Sequence, residues 1–144
     1  MLTVAQLLER KGNQVWTIGP DQTVFDAIAL MAEKRIGALA VVENEDLVGI
    51  ISERDYATKV ILRERRSRET PVREIMSTEL ITVDEGADLE TCMKLMTENR
   101  IRHLPVLENG RLKGMLSIGD VLVGSLEDRE NLIEQLQGYI AGNM

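Results

Sequence analysis

The chain has 144 residues, enough for a compact fold with a real core. A net charge of −7 argues against general nucleic-acid binding, and the single cysteine, Cys92, excludes an internal disulfide. Aromatics make up only 3%, so the core has to be Leu, Ile, Val, Met and Ala. No long apolar run marks a membrane segment, and Glu9, Arg10 and Lys11 break the amino-terminal apolar stretch too early for a signal peptide. The expectation is a soluble cytoplasmic protein.

Thr3 is placed to cap a short helix carrying Val4, Leu7 and Leu8, with Gly12 to end it. Val15 to Ile18 is a short β-type run, and Gly19-Pro20-Asp21 is a turn. Thr23, with Asp26 three residues on, predicts a capping box. Val24, Ala27, Ile28 and Met31 then fall on one helix face, which Arg35 and Gly37 close. Ala38 to Val42 and Leu47 to Ile51 read as a hairpin, and a second helix is expected from Ser52 to about Arg65.

The segment 63–74 mixes five arginines with three glutamates and reads as a solvated crossover. Val72 to Met76 echoes Val4 to Leu8, so each half has a similar helical lead. The pattern then returns. Leu80 to Val83 is the strand, and Asp88 caps a helix on which Leu89, Cys92, Met93 and Met96 take the places of Val24, Ala27, Ile28 and Met31. Cys92 replaces an alanine there, so it reads as a small core side chain rather than a catalytic thiol. Leu104 to Leu107 and Leu112 to Leu116 flank Asn109-Gly110, a pair suited to a tight hairpin turn. Leu132, Ile133, Leu136, Tyr139 and Ile140 make an amphipathic helix of the tail from Leu126 to Ile140, with an apolar face that must cover something.

Residues 15–57 align with 80–122 without a gap, with 14 identities in 43 pairs. Unrelated sequences would share about two or three at this length, so the chain is a tandem repeat of strand, helix, strand, strand, helix. The expected division is 1–65 for the first motif with its lead helix, 66–125 for linker and second motif, and 126–144 for the terminal helix.

The duplicated runs Gly49-Ile50-Ile51-Ser52-Glu53-Arg54-Asp55 and Gly114-Met115-Leu116-Ser117-Ile118-Gly119-Asp120 resemble those of a pair of CBS domains, the cystathionine β-synthase type motif. The resemblance covers roughly residues 2–124. It implies an α/β (α+β) fold of βαββα units packed by pseudo-two-fold symmetry, with two clefts that commonly take adenosine nucleotides. It also implies pairing of modules into dimers.

Residue types suggest what each cleft does. One carboxylate can accept from both hydroxyls of a ribose, and Asp55 and Asp120 are the candidates. A helix start suits a phosphate, and Ser52 and Ser117 sit there. Alone, Ser-x-x-Asp is simply a capping box. Its recurrence at the end of each hairpin favours a site.

Carried over from the family, the Asp120 cleft takes Ser117, Arg54, Arg102 and His103, with Trp16, Gly37 and Ala38 as a wall for the adenine. The Asp55 cleft takes Ser52, Gly119 and Ile81 and shares Arg102 and His103. Arginine favours phosphate, so the Asp120 cleft is expected to be the tighter.

No cysteine pair, second histidine or carboxylate cluster suggests a metal, and no nucleophile–base pair suggests catalysis. The expected function is therefore non-catalytic sensing of AMP, ADP or ATP, with the signal passed to a separate regulated protein. NAD(H) or S-adenosylmethionine is the alternative ligand, and phosphate-seeking cations disfavour the sulfonium. A homodimer is expected, with no membrane or nucleic-acid partner. The third reading is a ligand-free dimerisation scaffold.

Overall fold

The structure, a computed structural model, describes residues 2–12 and 14–140. In chain order its elements are α1 (Val4–Lys11), β1 (Thr17–Ile18), α2 (Val24–Lys34), β2 (Ala38–Glu43), β3 (Asp46–Ser52), α3 (Glu53–Tyr56), β4 (Val83–Asp84), α4 (Leu89–Asn99), β5 (His103–Glu108), β6 (Arg111–Ser117) and α5 (Ile118–Ile140). A π-helical turn covers Ala57–Ile61, and 3-10 turns cover Ser67–Glu69 and Val72–Glu74. The mixed α+β architecture with two three-stranded sheets is the one expected. The chain divides into two compact units.

The first unit comprises 14–81 with 109–113. The Thr23 hydroxyl caps α2 by accepting from the Asp26 N–H at 3.1 Å. Val24, Ala27 and Met31 turn inward. The helix stops where Arg35 turns left-handed at φ 57°, and the Ile36 N–H closes back on Met31 O. The sheet order is β1-β2-β3, with β1 parallel and β3 antiparallel to β2. Leu39, Val41 and Ile51 meet the helix face, and Val60, Val72 and Ile75 complete the core. Each such side chain contributes about 1.5–3 kcal/mol by leaving water.

The second unit comprises the described residues of 1–13, 82–108 and 114–144. Its sheet order is β4-β5-β6, with β4 parallel to β5. Asp88 caps α4 by accepting from Thr91 N–H at 2.8 Å, and Arg100 ends it left-handed, as Arg35 does in the first. Leu89, Cys92, Met96, Leu104, Val106, Leu116 and Val121 are buried.

The leads are equivalent within their units, yet each lead packs on the opposite repeat in the sequence. Val4, Leu7 and Leu8 of α1 are buried in the unit of the second repeat. Val4 N–H donates to Ala87 O, Ala5 N–H to Glu85 O, and Leu2 O accepts from Leu89 N–H. In the first unit Val72 N–H donates to Gln22 O, Arg73 N–H to Pro20 O, and Thr70 O accepts from Val24 N–H. The six partners match position for position. A glycine on the third strand of each motif leaves room for its lead. A methyl on Gly114 would stand 2.8 Å from Leu8 Cδ2, and one on Gly49 would stand 2.6 Å from Met76 Sδ.

Several elements differ from expectation. The first strand of each repeat is only two residues, because only Thr17–Ile18 and Val83–Asp84 find ladder partners. The lead at 72–74 is a 3-10 turn rather than an α-helix. The helix expected from Ser52 to about Arg65 is α-helical for four residues and then widens, with Leu62 N–H reaching Ala57 O. The widened turn keeps Val60 in the core while Ile61 and Leu62 face outward. The terminal helix does not start at 126. It is continuous with the helix after Ser117, since no residue between interrupts it, and Gly124 packs where a methyl would meet Leu89 Cδ1 at 2.7 Å. Positions 141–144 of the expected terminal segment lie outside the described residues. No described helix is long and apolar enough to cross a membrane.

Candidate functional site

Both Ser-x-x-Asp motifs stand where a third strand passes into a helix, and both close on themselves. Asp120 N–H donates to Ser117 Oγ at 3.1 Å, and Ser117 N–H donates to Asp120 Oδ2 at 2.8 Å. Asp55 N–H donates to Ser52 Oγ at 3.2 Å, and Ser52 N–H and Oγ both donate to Asp55 Oδ2, at 2.9 and 3.1 Å. These are capping boxes, and they also lock each carboxylate in one orientation. The preceding loop is tied down alike. Glu53 N–H donates to Gly37 O, and Ile118 N–H donates to Arg102 O.

Each carboxylate also holds a lysine that the sequence reading did not assign to it. Lys11, on α1, donates to Asp120 Oδ2 at 2.7 Å and to Met115 O at 2.6 Å. Lys59, in the π-helical turn, donates to Ile75 O at 2.9 Å and forms an ion pair with Asp55 Oδ1 at 2.9 Å. The i,i+4 spacing of Asp55 and Lys59 is a legible signal for the second pair. Lys11 lies 109 residues from Asp120, and no local pattern predicts that contact.

Around Asp120 the electrostatics are tuned. Burial works against its ionisation, but the Lys11 hydrogen bond and the Ser117 N–H outweigh it and hold the carboxyl below its ordinary value. His103 starts β5 in the same unit. Its burial, followed by the charge of Lys11, pushes the imidazole below its ordinary value; Asp120 opposes this and Arg102 adds to it. His103 is therefore neutral at pH 7, with one ring nitrogen able to accept. Arg102 is exposed and makes no ion pair among the described residues.

Among the residues expected together, Asp120, Ser117, Arg102 and His103 share the second unit. Trp16, Gly37, Ala38, Ser52, Arg54, Asp55 and Ile81 belong to the first. There, Trp16 packs on the core and carries the Lys34 ammonium over its ring, 4.2 Å from the centroid. Ala38 is buried at the start of β2, Arg54 is exposed on α3, and Ile81 is half-buried outside any strand. Beside Gly37, a pocket of about 300 Å³ is lined by Ile28, Met31, Ala32, Ile36, Arg35 and Glu53, a feature the sequence reading missed. Cys92 is fully buried, and burial, with Asp88 second, raises its thiol to about 11. That is an inert core thiol. No cluster of three metal-binding side chains occurs among the described residues.

Comparison with known proteins covers nearly the whole chain. A family model described as "CBS domain" matches residues 4–61 and again 72–127. The mitochondrial CBS domain-containing protein CBSX3 of Arabidopsis thaliana is 39% identical over 97% of this chain and 72% of its own length. The solved structure of a proposed signal-transduction protein with CBS domains from Burkholderia ambifaria is 48% identical with a TM-score of 0.85, over 88% of this chain and 96% of that one. A hexameric CBS-CP12 protein from bloom-forming cyanobacteria is 30% identical with a TM-score of 0.75, over 85% of this chain and 70% of that one.

Proposed function

The chain belongs to the CBS-domain family, and from that premise we propose that it is a non-catalytic regulatory module that binds an adenosine nucleotide and acts through a protein partner. The observation that carries the reading is Asp120. Its carboxylate is ionised and held in place by Ser117 and Lys11, whose N–H and ammonium bonds both fall on Oδ2. A ribose brings two adjacent hydroxyl donors, and a free carboxylate oxygen is their natural acceptor. Arg102 and His103 of the same unit supply a cation and a titratable ring for phosphate. AMP, ADP and ATP fit this chemistry best. NAD(H) shares the adenosine and stays as the alternative, whereas the sulfonium of S-adenosylmethionine is disfavoured beside Lys11 and Arg102. Ligand occupancy regulates a partner only if the module's two conformations bind the ligand unequally.

The reading extends to self-association. Positions 122, 126, 129, 133, 136 and 140 of α5 alternate in steps of four and three, and all but Arg129 are apolar. The five apolar ones are each at least 46% exposed. Such a heptad stripe suits a second copy of the same helix, and the cyanobacterial relative is described as hexameric. A cytoplasmic setting is kept as part of the proposal, although the plant relative's name places that protein in mitochondria.

The test is calorimetric titration of nucleotide-stripped protein with AMP, ADP, ATP, NAD and S-adenosylmethionine, beside Asp120→Ala. Micromolar binding of an adenosine phosphate, weakened tenfold or more by the substitution, supports the reading; tenfold corresponds to about 1.4 kcal/mol. If no ligand gives heat or a thermal shift, the reading fails and the scaffold alternative takes its place.

A further inference from the structure

The two aspartates differ in what they have left to offer. An ionised carboxylate presents about four lone-pair positions. At Asp55 two hydrogen bonds from Ser52 fall on Oδ2, and the Lys59 ammonium forms an ion pair with Oδ1 at 2.9 Å. Its side chain is only 11% exposed. At Asp120 the bonds from Ser117 N–H and Lys11 both fall on Oδ2, the Ser117 hydroxyl also lies against the carboxylate, and the side chain is 24% exposed. At Asp120 the ammonium thus shares Oδ2 with Ser117 N–H and leaves Oδ1 to vicinal hydroxyls, whereas at Asp55 it sits on Oδ1. Asp55 has no oxygen to itself.

The difference follows from where each lysine comes from. Lys11 approaches from α1 and is held by Met115 O on the strand side, so it shares the oxygen that Ser117 already uses. Lys59 approaches from one turn further along its own helix and is held by Ile75 O, so it meets the other oxygen. At position 124, which matches position 59 in the repeat, stands a glycine. The second repeat therefore has no counterpart to this lysine.

We infer that Lys59 is a specificity-determining residue that occupies the diol-accepting oxygen of Asp55, so that the chain takes one nucleotide, at Asp120, rather than two. This rests on the nucleotide-binding reading and goes beyond it by assigning a stoichiometry and its cause. Removing the ammonium frees Asp55 Oδ1 and creates a second diol acceptor.

The experiment is calorimetric titration with AMP, ADP, ATP and NAD of the wild-type chain, Lys59→Met, Lys59→Ala and Asp55→Asn, with thermal melts to verify folding. The wild-type chain is expected to bind one equivalent per chain. Both Lys59 variants are expected to bind two equivalents, the second lost again when Asp55→Asn is added. Two equivalents in the wild-type chain, one of them lost in Asp55→Asn, overturn the inference while leaving nucleotide binding intact. So does a single equivalent in both folded Lys59 variants. If neither the wild-type chain nor the variants bind AMP, ADP, ATP or NAD, the nucleotide reading falls, and the inference falls with it.

Discussion

Lys11 and Asp120 are 109 residues apart in the chain, and the Lys11 ammonium sits 2.7 Å from the Asp120 carboxylate. The contact fastens α1 to the start of α5, and it is reinforced by the ion pair of Arg10 with Glu127 and by Leu2 N–H donating to Asp128. The pair is partly exposed, so its worth is limited. Asp120 is held below its ordinary value of 3.8, and its stabilisation is complete above that value and lost as pH falls through the lower folded value. Lys11→Met is expected to cost roughly 0.5–1 kcal/mol at neutral pH. In urea unfolding the difference from wild type should shrink as pH falls from 3.8 through the lower folded value, because Asp120 is protonated first in the unfolded chain and then in the folded one. An unchanged difference at low pH would point to lost packing instead.

His103 gives the opposite end of the pH scale. It is the single histidine, and its folded value lies below 6.5. A neutral imidazole is therefore favoured by the fold. Its contribution is fully present above 6.5 and declines as pH falls from there towards the folded value, because the unfolded chain takes up the proton first. Stability should fall on acidification through this window, and His103→Gln should flatten that part of the profile. The histidine ring signal, followed by NMR, should titrate below 6.5 in the free chain. AMP should move it upward if its phosphate lies against the ring.

The two hairpin turns make a matched comparison. Asn109 and Gly110 have φ of 52° and 78°, and Asn44 and Glu45 have φ of 51° and 69°. Glu45 thus adopts a left-handed backbone that its partner position gives to glycine. Glu45→Gly should stabilise the chain by roughly 0.5–1 kcal/mol, and Gly110→Ala should destabilise it by about as much. Thermal melts of both variants decide it, and a destabilised Glu45→Gly would show that lost side-chain contacts outweigh the relief of strain.

The apolar stripe on α5 predicts concentration-dependent association. Sedimentation should find the wild-type chain as a dimer or larger, and Ile133→Glu with Leu136→Glu should shift it towards monomer. Both positions are about half exposed, so the single chain should keep its melting profile within a few tenths of a kcal/mol. A wild-type chain that stays monomeric at all concentrations would leave α5 for another partner.

The duplication, the caps at Thr3, Thr23, Asp88, Ser52 and Ser117, the buried helix faces and the two hairpins could all be read from residue order. Those features are local: a cap or a turn depends on residues within about four positions, and a buried face depends on a period. The recurrence of Ser-x-x-Asp marked both aspartates for the same reason. Three things waited for the folded chain. The lead before each repeat packs on the other repeat, which only long-range backbone pairing can decide. The widened turn at Ala57–Ile61 and the unbroken run of α5 depend on which side chains the core accepts. Lys11 reaches Asp120 because the tertiary fold brings that carboxylate and Met115 O within reach of one ammonium, whereas the pairing of Lys59 with Asp55 is local, at i,i+4 spacing. A sequence pattern can place a charge on an element, but its partner is set by the distance and angle between elements, and those exist only once the core has formed.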